Sequence, residues 1–173
     1  MNDHSFFQGV SMFRILICLT LLVCCALPAV ASEAPAVADD HRALAGLKTG
    51  KAVFDVSTSS PQAMILYLNV IEKTVATLKA QGVTPDFILA LRGAAVSIVS
   101  KDSEFNSSED EAELMAKITA LKQQGVYFEA CNVAAELFDV DKANLFPGVV
   151  LVGNTFASLI GYQSQGYALI PLM

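Results

Sequence analysis

Val126-Tyr127-Phe128-Glu129-Ala130-Cys131-Asn132-Val133-Ala134-Ala135 passes from a strand-like run straight into a helix-like one. A join of this kind is the repeating unit of α/β proteins, in which strands alternate with crossover helices. It is also a place where backbone N–H groups open toward solvent, so a thiol there can be held as a reactive thiolate.

Upstream, Asp86-Phe87-Ile88-Leu89-Ala90-Leu91 carries no polar alternation in its last five residues, as expected of a strand covered on both faces of a parallel sheet. Ala52-Val53-Phe54-Asp55-Val56 is a further strand-type run, closed by Ser57-Thr58-Ser59-Ser60-Pro61. Ser60 is placed to cap a helix whose first residue is Pro61. Met64, Leu68, Ile71, Val75 and Leu78 then recur at spacings of four and three, an apolar stripe that Gly82 should end in the left-handed conformation. Arg92-Gly93-Ala94-Ala95 turns the chain into an apolar segment ending at Val99. Lys101 to Asp110 reads as a mobile surface loop. Ser108 with Glu111 makes a capping-box pattern, and Leu114, Ile118 and Leu121 mark a second amphipathic helix that Gly125 stops.

Downstream, Cys131 to Phe138 reads as a short helix and Asp139 to Asn144 as a polar link. Leu145-Phe146-Pro147-Gly148 is a turn, and Val149-Val150-Leu151-Val152 a fourth strand ended by Gly153-Asn154-Thr155. A third helix carries Phe156, Leu159 and Ile160 on one face. Gly166 breaks it, and Tyr167 to Ile170 supplies the last strand. The whole predicts a single three-layer α/β domain, with a mostly parallel five-stranded sheet and helices on both faces. Strand order stays open at this level.

The N-terminal residues read as an address. Met12-Phe13-Arg14, an apolar stretch from Ile15 to Leu27, and Ala29-Val30-Ala31 before Ser32 have the layout of a cleavable signal peptide over 1–31. Asp3 and His4 add nothing to a positive start, which leaves Met1 and Met12 both open as the first residue. Cleavage near Ala31-Ser32 would deliver a periplasmic or secreted protein. Residues 32–50 then form a tail and a short helix between Asp39 and Lys48, with Leu44 and Leu47 on one face, and 51–173 the domain. Cys18, Cys24 and Cys25 leave with the signal, so Cys131 is the thiol that remains. No disulfide framework is then available, and the packed core has to supply stability.

The net charge of −6 and the lack of any Lys/Arg run argue against nucleic acid or an anionic membrane surface as partner. No membrane-spanning run follows the leader. With His41 as the remaining histidine, neither a Cys–His pair nor a Ser–His–Asp arrangement is expected. One His and one Cys do not make a zinc site of the usual kind. Neither a phosphate-binding loop nor a dinucleotide fingerprint occurs, and there is no C-x-x-C. No metal and no organic cofactor is expected.

Ligands of open parallel sheets bind beyond the carboxyl ends of the strands. Those ends bring Asp55 and Ser57, Arg92 and Gly93, Cys131 and Asn132, and Gly153 and Asn154 to one rim. Cys131 admits two readings, a small buried apolar residue or a reactive thiolate. Its position at a strand-to-helix junction and its survival as a free thiol in an oxidising compartment favour the second. Arg92 is either a surface arginine or the stabiliser of a thiolate, a persulfide or an anionic sulfur substrate. Asp55 caps the turn at Ser57 or serves the site, and Asn132 and Asn154 are caps or turn formers first.

The segment from Gly125 to Ala135, with Phe146-Pro147-Gly148-Val149 and Gln165-Gly166-Tyr167-Ala168 downstream, resembles the DsrE/DsrF family of sulfur-handling proteins from about Lys51 to Leu172. The resemblance implies a five-stranded, mostly parallel α/β domain. It implies assembly as a trimer or hexamer, homomeric or mixed with related subunits. It also implies that Cys131 accepts sulfane sulfur as a persulfide from a donor and passes it to a thiol acceptor. Two departures stand out: Arg92-Gly93 replaces the His-Gly of many relatives, and the leader exports the domain. The expected function is therefore an exported sulfur-binding or sulfur-transfer protein. The rival readings are a non-catalytic oligomeric binding or assembly module and a periplasmic thiol redox sensor.

Overall fold

Five strands follow one another through the chain: β1 (Thr49–Val56), β2 (Thr84–Leu91), β3 (Tyr127–Cys131), β4 (Val149–Val152) and β5 (Ala168–Leu172). They form one sheet of order β4-β3-β2-β1-β5, parallel at every pairing. The computed structural model describes residues 39–101 and 103–173. The signal peptide read over 1–31, with Cys18, Cys24 and Cys25, and the tail as far as residue 38 lie outside the described residues.

The helices are α1 (His41–Leu44), α2 (Pro61–Ala80), α3 (Ala95–Ile98), α4 (Ser108–Gln123), α5 (Asn132–Leu137) and α6 (Thr155–Ser164). From β1 to β4 the chain steps along the sheet in one direction. Right-handed crossovers therefore lay α2 to α5 on one face. The large core lies there, built from Phe54, Leu89 and Phe128 of the sheet with Met64, Leu68, Leu114 and Ile118 of the helices. The step from β4 to β5 runs back across the sheet, so α6 lies on the other face. There Leu159 packs against Val53, Ile88 and Ala90.

Local chemistry sets most boundaries. The Ser60 hydroxyl accepts from Ala63 N at 3.2 Å with Pro61 in the first turn, and the stripe from Met64 to Leu78 is buried along α2. Gly82 has φ +76°, the left-handed geometry that ends the helix without a Cβ penalty. The capping box lies one residue earlier than the sequence pattern placed it. Ser107 caps α4, donating its N–H to Asp110 and accepting from Asp110 N at 3.1 Å.

Other expectations are corrected. The N-terminal helix is a single turn, and Leu47 is exposed beyond it. The loop read over Lys101 to Asp110 ends sooner, since α4 begins at Ser108, and within it the Asn106 side-chain amide donates to Ile98 O at 2.7 Å. On α6, Phe156 and Ile160 face outward, and the residues turned to the sheet are Thr155, Leu159 and Tyr162. The last strand continues through Pro171 to Leu172. It lies at the sheet edge, where a missing N–H is tolerated.

The large core carries the stability. Ile118→Ala, on the buried face of α4, should lower unfolding free energy by about 2–5 kcal/mol in urea titration. Leu66→Ala, on the exposed side of α2, should stay within about 0.5 kcal/mol.

Candidate functional site

Cys131 is the last residue of β3 and the residue from which α5 starts. Its register partner is Val152, the last residue of β4. That pairing sets the turn after β4 beside the thiol. Asn154 caps α6 there, its Oδ1 accepting from Phe156 N at 2.9 Å. The next residue, Thr155, donates its backbone N–H to Cys131 Sγ at 3.5 Å.

The thiol is 5% exposed. Burial is the strongest influence on its ionisation and pushes the pKa up. Hydrogen bonds from the Thr155 hydroxyl and N–H, and from the N–H groups of Ala134 and Val133, together outweigh burial. The net result is a thiol below the ordinary cysteine value, with more thiolate at neutral pH.

Arg92 follows β2 on the same rim, its N–H donating to Val56 O at 2.9 Å. Its guanidinium grips Asp55 through two bonds, Nε to Oδ1 at 2.6 Å and Nη2 to Oδ2 at 3.0 Å. Planar two-point pairing of this kind fixes the arginine side chain. The Asp55 hydrogen bond is the main influence holding Arg92 charged, burial opposes it, and the charges of Asp55 and Cys131 add to it. The guanidinium also lies 5.7 Å from the centre of the Phe156 ring, a cation–π distance. Gly93 has φ +56° with open space where a Cβ would project. Backbone conformation, not crowding, calls for glycine there.

These groups border a pocket of about 240 Å³. Cys131, Arg92, Gly93, Asn154 and Thr155 supply its polar side, and Val133, Ala134, Leu137 and Phe156 its apolar side. Asp55 lies behind Arg92. Asn132 is not among the lining residues; its amide donates to Glu136 Oε1 at 2.8 Å. A second pocket, of about 280 Å³, is bordered by Ser97, Ser100, Glu104, Asp139 and Asp141 and holds no thiol. Among the described residues no cluster of His, Cys, Asp or Glu could hold a metal.

Thr155, Phe156 and Leu137 went unread in the sequence as site residues. Thr155 had a signal, since it follows Asn154 at a strand end on the same rim. Glu129 had one too, as an acid inside an apolar strand. It is 2% exposed, on the same face of β3 as Cys131. Tyr162 donates its hydroxyl to Glu129 Oε2 at 3.3 Å, while Oε1 has no partner. Burial raises the Glu129 pKa, and hydrogen bonds from Ser158 and Tyr162 oppose the rise without cancelling it. Tyr162 itself is pushed up to about 12, first by burial and then by Glu129, so it keeps its proton and remains the donor.

The chain belongs to the DsrE/DsrF-like family, whose sequence profile matches residues 51–172. It is 30% identical over 125 residues to an uncharacterised protein of Aquifex aeolicus (strain VF5), a match covering 70% of this chain and 55% of that one. The chain thus spans little more than half the length of this curated relative. Among solved structures, it is similar to MTH1491 of Methanobacterium thermoautotrophicum, a protein of unknown function. The TM-score is 0.58 at 20% identity, over 70% of this chain and 98% of that one. The ychN protein of E. coli aligns with TM-score 0.52 at 16% identity, covering 70% and 98%. At such identities the likeness establishes the fold.

Two measurements check this electrostatic picture. Thr155→Val removes a hydroxyl that stabilises the thiolate. It should move the midpoint of the Cys131 alkylation-rate profile to higher pH, and an unmoved midpoint would discount that hydrogen bond. For Glu129 the folded pKa is raised, so its stabilising contribution is complete below the unfolded value of 4.5 and is lost as pH rises through the folded value. Glu129→Gln should therefore gain in Tm relative to the parent as pH is raised above 4.5, with a constant Tm difference counting against a buried neutral acid.

Proposed function

We propose that this member of the DsrE/DsrF-like family is an exported sulfur carrier in which Cys131 receives a sulfane sulfur and hands it to a thiol. One observation carries the reading: a thiol poised below its ordinary pKa borders a pocket instead of being sealed in hydrocarbon. The thiolate attacks the outer sulfur of a donor such as thiosulfate, a polysulfide or a protein persulfide. With thiosulfate, the donor S–S bond breaks and sulfite leaves with the electron pair. Cys131 is left as Cys–S–S⁻. An incoming thiolate then attacks the terminal sulfur, takes it away and regenerates Cys131. One sulfur atom moves, and neither an outside oxidant nor a metal enters the balance.

Within this reading Thr155 and the N–H groups of Val133 and Ala134 stabilise negative charge on the attacking sulfur and on the persulfide that replaces it. Arg92, fixed by Asp55, supplies positive charge at the same rim. Gly93 lets the chain turn there, and Asn154 sets the start of α6 so that Thr155 reaches the sulfur. Asn132 is left with a helix-stabilising role.

The proposed setting is the periplasm or the exterior, after cleavage near Ala31-Ser32. The proposed partners are copies of this chain or related subunits. Support comes from the apolar surface that the single helix α6 leaves uncovered away from the pocket, where Ile160, Val150 and Leu169 are all exposed.

Intact-mass analysis of the purified mature protein after exposure to thiosulfate or polysulfide tests the carrier reading. The expected result is a gain of one sulfur atom, reversed by a thiol reductant and absent in Cys131→Ser. Failure of every donor to add sulfur to a folded, alkylatable protein would refute it. For assembly, light scattering should give a mass above the monomer, reduced by Ile160→Asp; a monomer at all concentrations would reject that part.

A further inference from the structure

We infer that the donor this pocket selects is a small organic sulfane-sulfur compound with a compact apolar group and a single negative charge, of which an organic thiosulfonate, R–SO₂–S⁻, is the simplest case. The inference rests on the sulfur-carrier reading and adds the chemical class of the substrate.

Three observations point the same way. The first is shape and lining. A volume of about 240 Å³ is roughly eight waters' worth of space, more than a small inorganic oxyanion fills. Beside Cys131 the lining is largely hydrocarbon, from Val133, Ala134, Leu137 and Phe156. Second, Leu137 is 78% and Phe156 60% exposed. Large apolar side chains left open at the mouth of a cavity have surface still to bury, and an apolar ligand would bury it.

The third observation is charge. Arg92 is the cation of this pocket, and Asp55 already holds it through Nε and Nη2. The pair is neutral as a unit, so with Cys131 ionised the site carries one net negative charge. A dianion such as thiosulfate enters against that charge. A monoanion meets less repulsion, and Nη1 of Arg92, which lies outside the Asp55 pair, can take one oxygen of its sulfonyl head. Phe156, beside the guanidinium, offers its ring to the organic group.

The transfer balances without any further reactant. The Cys131 thiolate attacks the terminal sulfur of R–SO₂–S⁻, and the bond between that sulfur and the sulfonyl sulfur breaks. Its electron pair leaves with the sulfinate R–SO₂⁻. Cys131 becomes Cys–S–S⁻, with one negative charge on each reactant and one on each product.

The test compares second-order rates of Cys131 persulfide formation from benzenethiosulfonate and from thiosulfate in the mature protein. Each rate is divided by the rate of the same donor with free glutathione, which removes differences in intrinsic electrophilicity. The expected normalised preference for benzenethiosulfonate is about tenfold or more, the effect of covering roughly 60 Å² of ring. Leu137→Ser and Phe156→Ser, both at exposed positions, should each shrink that ratio several-fold. Equal normalised rates, or a ratio that survives both substitutions, would overturn the donor class while leaving Cys131 a sulfur acceptor. Absence of persulfide from either donor would overturn the carrier reading and the donor class with it.

Discussion

The direction of the crossovers is the constraint on which everything else here depends. With β1 to β4 laid down in one direction and every connection right-handed, α2 to α5 are forced onto one face of the sheet. The reversal into β5 leaves α6 to shield the opposite face alone. All strands are parallel, so their carboxyl ends meet at one rim. The start of α6, on the thinly covered face, comes down beside the end of β3. Cys131 and Thr155 are 24 residues apart in sequence, and this geometry brings them within hydrogen-bonding reach.

Two opposed electrostatic choices coexist on that thin face. At the rim, hydrogen-bond donors gather around a sulfur and favour its anion. One step back along β3, Glu129 is enclosed with one oxygen unpartnered, and the protonated acid is favoured. Four hydrogen bonds reach the sulfur and two the carboxyl, and burial prevails only at the carboxyl. Tyr162 joins the two by belonging to the same helix as Thr155, so the packing of α6 serves the carboxyl and the thiol together.

Much of the fold was legible because it rests on local signals. The runs that became β1 to β4, the Ser60–Pro61 start of α2 and its buried stripe follow from periodicity and capping chemistry. Where the reading went wrong, a non-local contact had decided. Phe156 and Ile160 looked like the buried face of α6, yet this helix meets the sheet through Thr155, Leu159 and Tyr162. Pattern alone cannot rank apolar positions on a helix that has one sheet beneath it and no neighbouring helix. At the rim, Cys131, Arg92, Gly93 and Asn154 could be gathered from strand ends. Asp55 needed the neighbouring register of β1 and β2 to be seen as the partner of Arg92. Thr155 needed the pairing of β3 with β4.

Pro171, within the outermost strand β5, bears on how copies of this domain can meet. Leu172 turns its carbonyl inward to Ser57, so alternation along the strand points Pro171 toward the open border of the sheet. A visiting strand aligned there would find an acceptor with no accompanying donor, and its own carbonyl would go unanswered. Ribbon-like growth of the sheet from that side is discouraged by a single ring. Any contact made on that side would then fall to side-chain surfaces, where shape rather than backbone pairing chooses the neighbour.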